Sequence, residues 1–305
     1  MLQQCANTVL MVRPIQFAFN HQTAGNNAFQ NNINHVNAAE INALATAEFD
    51  AFKNLLEANG INVLQIQDSL EPITPDSIFP NNWVSIDQHK RMVIYPMYAV
   101  NRRLEKKEAI INLLVEKYNI ETEYDYSIYE EKNIFLEGTG SMVIDYVNNI
   151  AYACLSPRTD EALFIKYCND MGYTPCYFRA IDAKSMDIYH TNVMMCIGTN
   201  IAIVCLDSVT NTEEKNELIT NLENTNHTII DIKFKQMNNF AGNMLEVQNQ
   251  TGQKFLVMSA RAKASLTENQ LNKIEKFNTI LAPAIPIIET VGGGGVRCML
   301  AEIFN

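Results

Sequence analysis

Positive charge is scarce in this sequence. Lys and Arg number 23 against 34 Asp and Glu, which leaves a formal net charge of −11 over 305 residues. Such a balance offers no electrostatic grip on nucleic acid or an anionic membrane, and neither is expected as a partner. Long hydrophobic runs are missing, which argues against a transmembrane span. With no C-x-x-C pair and no H-E-x-x-H, no metal site is expected, and nothing requires an organic cofactor. Tryptophan occurs once, at Trp83, and is best placed in the core. The seven cysteines are an odd count without paired spacing, and Met1-Leu2-Gln3-Gln4 has neither the basic nor the apolar part of a secretory leader. A reducing, cytoplasmic setting is therefore expected. Pro/Ser-rich linkers and charge blocks are also lacking, so residues 1–305 read as a single domain.

What the chain does have is a glycine run, Gly292–Gly295, followed by Val296, Arg297 and Cys298. Bare backbone of this kind approaches a ligand closely, and a thiol behind it is a candidate nucleophile. A flexible tail carrying a buried cysteine fits the local residues equally well. A period changes the balance. Counting back from Cys298, a polar residue precedes an apolar strand at Asn243, His190, Glu137 and Asn82, at intervals of 55, 53, 53 and 55 residues. Such self-similarity marks a propeller or array. Each unit reads as a hairpin, an amphipathic helix and a further strand, an α/β pattern. Helices are expected near 40–58, 102–118, 160–171, 212–222 and 267–277, and closing strands near 61–66, 120–126, 173–180, 228–234 and 280–287. The segment 8–12 lacks a preceding strand and 299–304 lacks a following one. Pairing them would close a ring and leave no free sheet edge. The five polar positions would then converge on one axis.

Read in order, Arg13 is either a rim contact for an anion or, preferably, a surface charge. The Asn-rich segment 20–37 has the length of a lid or a mobile loop, and its His21 and His35 are read as solvated. Asp76, Phe79, Asn81 and Asn82 form the first axis stretch, with simple Asn-rich turn chemistry as the alternative. Glu137 needs a partner, and the axis offers His190. The G-x-G at 138–140 is a weak nucleotide signal, because no helix is expected after it. Arg158 suits capture of a carboxylate, or is a surface charge at a helix entry. His190 and Asn192, two apart in an expected strand, would share a face. His190 as imidazolium would lower the thiol pKa, whereas Arg297 should point away from Cys298. Asn243 is an axis residue that binds ligand or only caps backbone. His89 and His227 are placed at the surface, Cys5 in a mobile N-terminus, and Cys154, Cys168, Cys176, Cys196 and Cys205 in the core.

The motifs MVRP, FPNNW, FLEGTGS, LSPRT, YHTNVMMCIG, FAGNM and RCMLAEIF span the chain. In them the sequence resembles the guanidine-modifying (pentein) superfamily, nearest its citrulline-utilisation and arginine-deiminase-related branch. The resemblance implies a five-bladed α/β propeller of ββαβ units. It implies Cys298 as nucleophile, His190 as general acid/base and Glu137 as the acid orienting it. By the same resemblance Arg158 holds a substrate α-carboxylate and Asp76 lies near the α-amino group. Two departures stand out: Asn81-Asn82 where dimethylarginine hydrolases carry an acidic pair, and Asn192 where arginine deiminases carry an aspartate. A buried guanidinium without a carboxylate costs several kcal/mol, while Asn suits a neutral ureido group. The expected substrate is therefore a small amino acid such as citrulline, with N–H groups of Gly292–Gly295 or the Asn amides meeting the oxyanion. An arginine or dimethylarginine hydrolase, an amidinotransferase and a non-catalytic binding protein are the alternatives. Homo-oligomerisation is left open.

Overall fold

The computed structural model describes residues 2–33 and 36–304. The expectation for His35 lies outside them. Among the described residues the strands are β1 (Thr8–Arg13), β2 (Asn62–Gln67), β3 (Val84–Ile86), β4 (Arg91–Ile94), β5 (Thr122–Asp125), β6 (Val143–Asp145), β7 (Ile150–Cys154), β8 (Thr174–Phe178), β9 (Met195–Ile197), β10 (Ile201–Val204), β11 (Thr228–Asp231), β12 (Leu245–Gln248), β13 (Lys254–Val257), β14 (Thr279–Leu281) and β15 (Ala301–Ile303). Four groups pair alike: β3-β4, β6-β7, β9-β10 and β12-β13 are antiparallel, and the strand after the helix adds parallel to the second.

The two ends of the chain make a fifth group with the same pattern. β15 runs antiparallel to β1, with Thr8 opposite Ile303, and β2 adds parallel to β1. Ile303 also bridges to Ile86 of β3, which merges two groups into one six-stranded sheet. The expected pairing of the terminal strands is thus present.

Helices cross between the strands of each group. Ala38–Ala58 turns Ile41, Ala45, Phe49, Phe52 and Leu56 inward, a stripe at helical spacing that packs in one cluster with Val9 and Met11. Asn37, Asp160, Asn211 and Thr267 each accept a backbone N–H at a helix start, worth roughly 1 kcal/mol apiece. The helix expected from 102 begins instead at Glu108, because Arg102 and Glu105 turn into the interior and pair there, so the chain breaks after a single turn, Val100–Arg103. The strand expected over 280–287 stops at Leu281, where Pro283 and Pro286 follow and a π-helical turn, Ile288–Gly292, takes over.

Two surface placements are corrected. Cys5 is 1% exposed, since Gln4 donates to the Ile144 carbonyl and the Ala6 carbonyl accepts from Gln248, tying the segment across the molecule. His227 is buried too, its ring bridging Thr225 and the Gly198 carbonyl. All seven cysteines are free and buried. Among the described residues, no helix is long and apolar enough to cross a membrane and no cluster of three or more His, Cys, Asp or Glu could hold a metal.

Candidate active site

The loops that precede the first strand of each group touch one another in sequence. A Cβ added at Gly140 would lie 2.2 Å from Asn82 Nδ2 and 2.8 Å from His190 Nδ1, and one at Gly242 would lie 2.3 Å from the Val193 carbonyl oxygen. The chain of contacts returns to its start at Phe79, whose ring would be 2.7 and 2.8 Å from a Cβ on Gly292 and Gly294. The glycine run is therefore a bed for the Phe79 ring. As an oxyanion donor it is partly spent, because the Gly293 N–H already donates to the Glu289 carbonyl at 3.1 Å.

Glu137 and His190 meet as expected. His190 Nε2 lies 2.7 Å from Glu137 Oε2, with 3% and 0% of the side chains exposed. The same carboxylate accepts from the Tyr98 backbone N–H at 2.9 Å and from Arg158 Nη1 at 3.4 Å. Burial alone would raise the Glu137 pKa. The Arg158 charge and the His190 hydrogen bond outweigh it and hold the carboxyl well below the usual range. Burial pulls His190 the other way, down to about 4 against the pull of Glu137, so the resting ring is neutral at pH 7. That corrects the imidazolium expected from sequence: removal from water disfavours the cation more than one carboxylate favours it. His190 also precedes a helical turn, Thr191–Met194, rather than standing in a strand, and a second turn follows Glu137 over Gly138–Ser141.

Cys298 lies in a turn ahead of β15. Its Sγ receives Asn243 Nδ2 at 3.3 Å and Asn192 Nδ2 at 3.5 Å. Asn243 also spans backbone, donating to the Asn192 carbonyl and accepting from the Arg297 N–H, as its backbone-capping reading expected. Arg297 does turn away, to Glu302 at 2.9 Å. Burial pushes the Cys298 thiol above its ordinary 9.0 despite the Asn243 contact and the Arg297 field. Alkylation of Cys298 by iodoacetamide, followed by peptide mass spectrometry, should accordingly be slow at neutral pH and accelerate as pH rises past 9. A rate already level at pH 7 would contradict a resting thiol.

Cys298 and His190 wall one narrow cavity of about 20 Å³ together with Phe79, Asn82, Asp76, Arg158 and Gly292–Gly294. That is room for about one water molecule, so the walls must part to admit an amino acid. Asp76 Oδ2 accepts from Asn20 at 2.7 Å while Oδ1 has no partner among the described residues. Burial raises the Asp76 carboxyl against the opposing charge of Arg102. Asn81 is buried at the contact between loops, exchanging hydrogen bonds with Thr139. Arg158 is 2% exposed, not a surface charge; it stacks over Tyr189 at 4.8 Å, and its Nε is unpartnered among the described residues. Arg13, by contrast, pairs with Asp50 at a half-exposed position, as the surface reading expected.

Sequence reasoning missed several neighbours. Thr23 and Asn27, from the segment expected to be a lid or mobile loop, line the cavity, and Asn26 pairs with Arg158. Arg102 also lines it, and the sequence held no signal of that, because an Arg three residues before a Glu reads as an exposed helix turn. A wider cleft of about 720 Å³ lies along β2, but no cysteine or histidine is among its lining residues, so size alone does not make it the site.

Comparison with known proteins identifies the family. The family profile described as N,N dimethylarginine dimethylhydrolase, eukaryotic, matches residues 13–305. A comparison with curated protein sequences returns no match. Among solved structures, the N-terminal domain of ArgZ, an arginine dihydrolase from the ornithine-ammonia cycle in cyanobacteria, superposes with a TM-score of 0.74 at 14% identity, covering 98% of this chain and 99% of that one. Unliganded AgrE gives 0.73 at 15%, covering 96% of this chain but 38% of its own. A dimethylarginine dimethylaminohydrolase bearing an adduct with S-methyl-L-thiocitrulline gives 0.64 at 15%, covering 99% of each. At these identities the likeness establishes a shared α/β fold, whereas the profile covers nearly the whole chain. The protein belongs to the N,N-dimethylarginine dimethylhydrolase family of the guanidine-modifying pentein superfamily, hydrolases that act on carbon–nitrogen bonds.

Proposed function

We propose that this enzyme uses Cys298 to hydrolyse the ureido carbon of citrulline, giving ornithine, ammonia and carbon dioxide. One observation carries the choice of substrate. The groups hydrogen-bonded to the sulfur are the amides of Asn192 and Asn243, with Asn82 in the same cavity; the carboxylate in that lining, Asp76, is assigned to the α-amino group and makes no hydrogen bond to Cys298. An arginine guanidinium held there would be a buried charge without a partner, whereas amides match a neutral ureido group.

In this reading His190, neutral at rest, takes the thiol proton and delivers it to the departing amine. The sulfur retains a thiocarbamate, the oxyanion meets amide donors worth about 3 kcal/mol each, and water activated by His190 then releases a carbamate that loses carbon dioxide. Glu137 orients the ring, Arg158 and Asp76 take the α-carboxylate and α-amino group, Phe79 shapes the wall, and Asn81 holds the loop behind it through Thr139. The five strand groups form a closed five-bladed propeller, supported by the return of the loop contacts to Phe79. The free cysteines support a reducing compartment, which we take to be the cytoplasm.

A second reading is favoured by the likeness to ArgZ: arginine itself is carried through to ornithine. Ammonia and ornithine measured together decide between them. Citrulline hydrolysis yields one ammonia per ornithine, arginine dihydrolysis yields two, and dimethylamine from dimethylarginine would refute both.

A further inference from the structure

Asn82 is held in one orientation by its neighbours. Its side-chain oxygen lies 2.7 Å from Arg102 Nη1. A guanidinium only donates, so the atom facing it is the amide oxygen, and turning the amide over would set N–H against N–H. Arg102 is itself clamped: Nε and Nη2 reach the two Glu105 oxygens at 2.9 Å each, and Nη2 also donates to the Phe79 carbonyl at 3.0 Å. All three side chains are at most 3% exposed, so water does not compete for these bonds. The other end of the amide, Asn82 Nδ2, is buried without a hydrogen-bond partner among the described residues. It stands beside His190 across Gly140, in the cavity that Cys298 shares. A buried N–H left unmet is costly, and an acceptor on a ligand would satisfy it.

We propose that Arg102, clamped by Glu105, is a positioning residue that locks Asn82 Nδ2 toward the reacting group, where it recognises the oxygen of a ureido substrate and rejects a guanidinium. The inference rests on the proposed function and deepens it. Around the carbon of a protonated guanidino group every nitrogen carries hydrogens or substituents and none accepts, so it meets the Asn82 donor with no acceptor. A ureido oxygen is the complementary group.

Equilibrium binding to the Cys298→Ala protein separates recognition from chemistry. Calorimetry is expected to show citrulline bound at least about 10-fold more tightly than arginine. Adding Asn82→Asp keeps the side-chain shape and gives Arg102 a carboxylate, yet removes the donor, so the preference should swing by about 100-fold toward arginine. A double Arg102→Gln/Glu105→Gln change lets the amide turn and should bring the two affinities to within about threefold; circular dichroism and Tm report whether each variant folds. If folded Asn82→Asp protein keeps the citrulline preference, the inference is overturned while the proposed function stands. If the Cys298→Ala protein binds arginine more tightly from the outset, or binds neither ligand, both are overturned. The Asn82→Asp arm decides even if the double variant fails to fold.

Discussion

Replacing Cys298 by alanine is expected to lower kcat on citrulline on the order of 10⁶-fold, as removal of a nucleophile does when the remaining groups act only through it. The fold should survive. The sulfur occupies little volume, and its loss leaves only the Asn192 and Asn243 amides short of a weak acceptor, a cost of about 1–2 kcal/mol. The wild-type enzyme mixed with citrulline and quenched within a turnover should carry a carbamoyl-sized mass increment on the peptide containing Cys298. A Cys298→Ala protein that still turned over at a few per cent of the wild-type rate would sink covalent catalysis. A wild type inert toward every ureido and guanidino substrate would favour a binding protein instead.

The second large effect falls on Glu137. Glu137→Gln keeps the shape but strips the charge that faces Arg158 and His190, both nearly fully buried. Removing one partner of a buried ion pair typically costs about 3–5 kcal/mol, because the other charge is left uncompensated. Catalysis should suffer independently, by about 10⁴-fold, since the imidazole loses the acceptor that sets its tautomer. The pH dependence has a definite sign. The Glu137 pKa is held well below its unfolded value of about 4.3, so its contribution is fully present above roughly pH 5 and is lost as pH falls through the acid range. His190, lowered to about 4 by burial, loses stability between its unfolded pKa of about 6.5 and that value in wild type and variant alike, so the change in the gap is read from Glu137. The gap in urea midpoint between wild type and Glu137→Gln should therefore narrow between pH 7 and pH 3. A gap that widened on acidification, or a variant as stable as wild type at pH 7, would refute the pairing.

Much of this site could be read from one dimension. The spacing of Asn82, Glu137, His190, Asn243 and Cys298 placed all five at the same point of a recurring unit, and the pairing of β15 with β1 follows from a strand missing at each end. Arg158 could be read as a carboxylate-binding arginine or a surface charge, but not as the buried partner of Glu137. Arg102 and Glu105 were illegible, since two charged residues three apart look like an exposed helix turn until burial shows otherwise.

The chain by itself determined the kind and order of its elements, the α/β pattern and which residues are candidates for the reaction, because hydrophobic period, turn chemistry and repeat spacing are properties of neighbouring residues. Tertiary structure alone decided how those groups rest: a neutral imidazole, a protonated thiol, an ionised Glu137, and an Asn82 amide turned by Arg102. Each of those states depends on how far water is excluded and which charge stands within a few ångströms. Those distances join residues that the sequence keeps far apart.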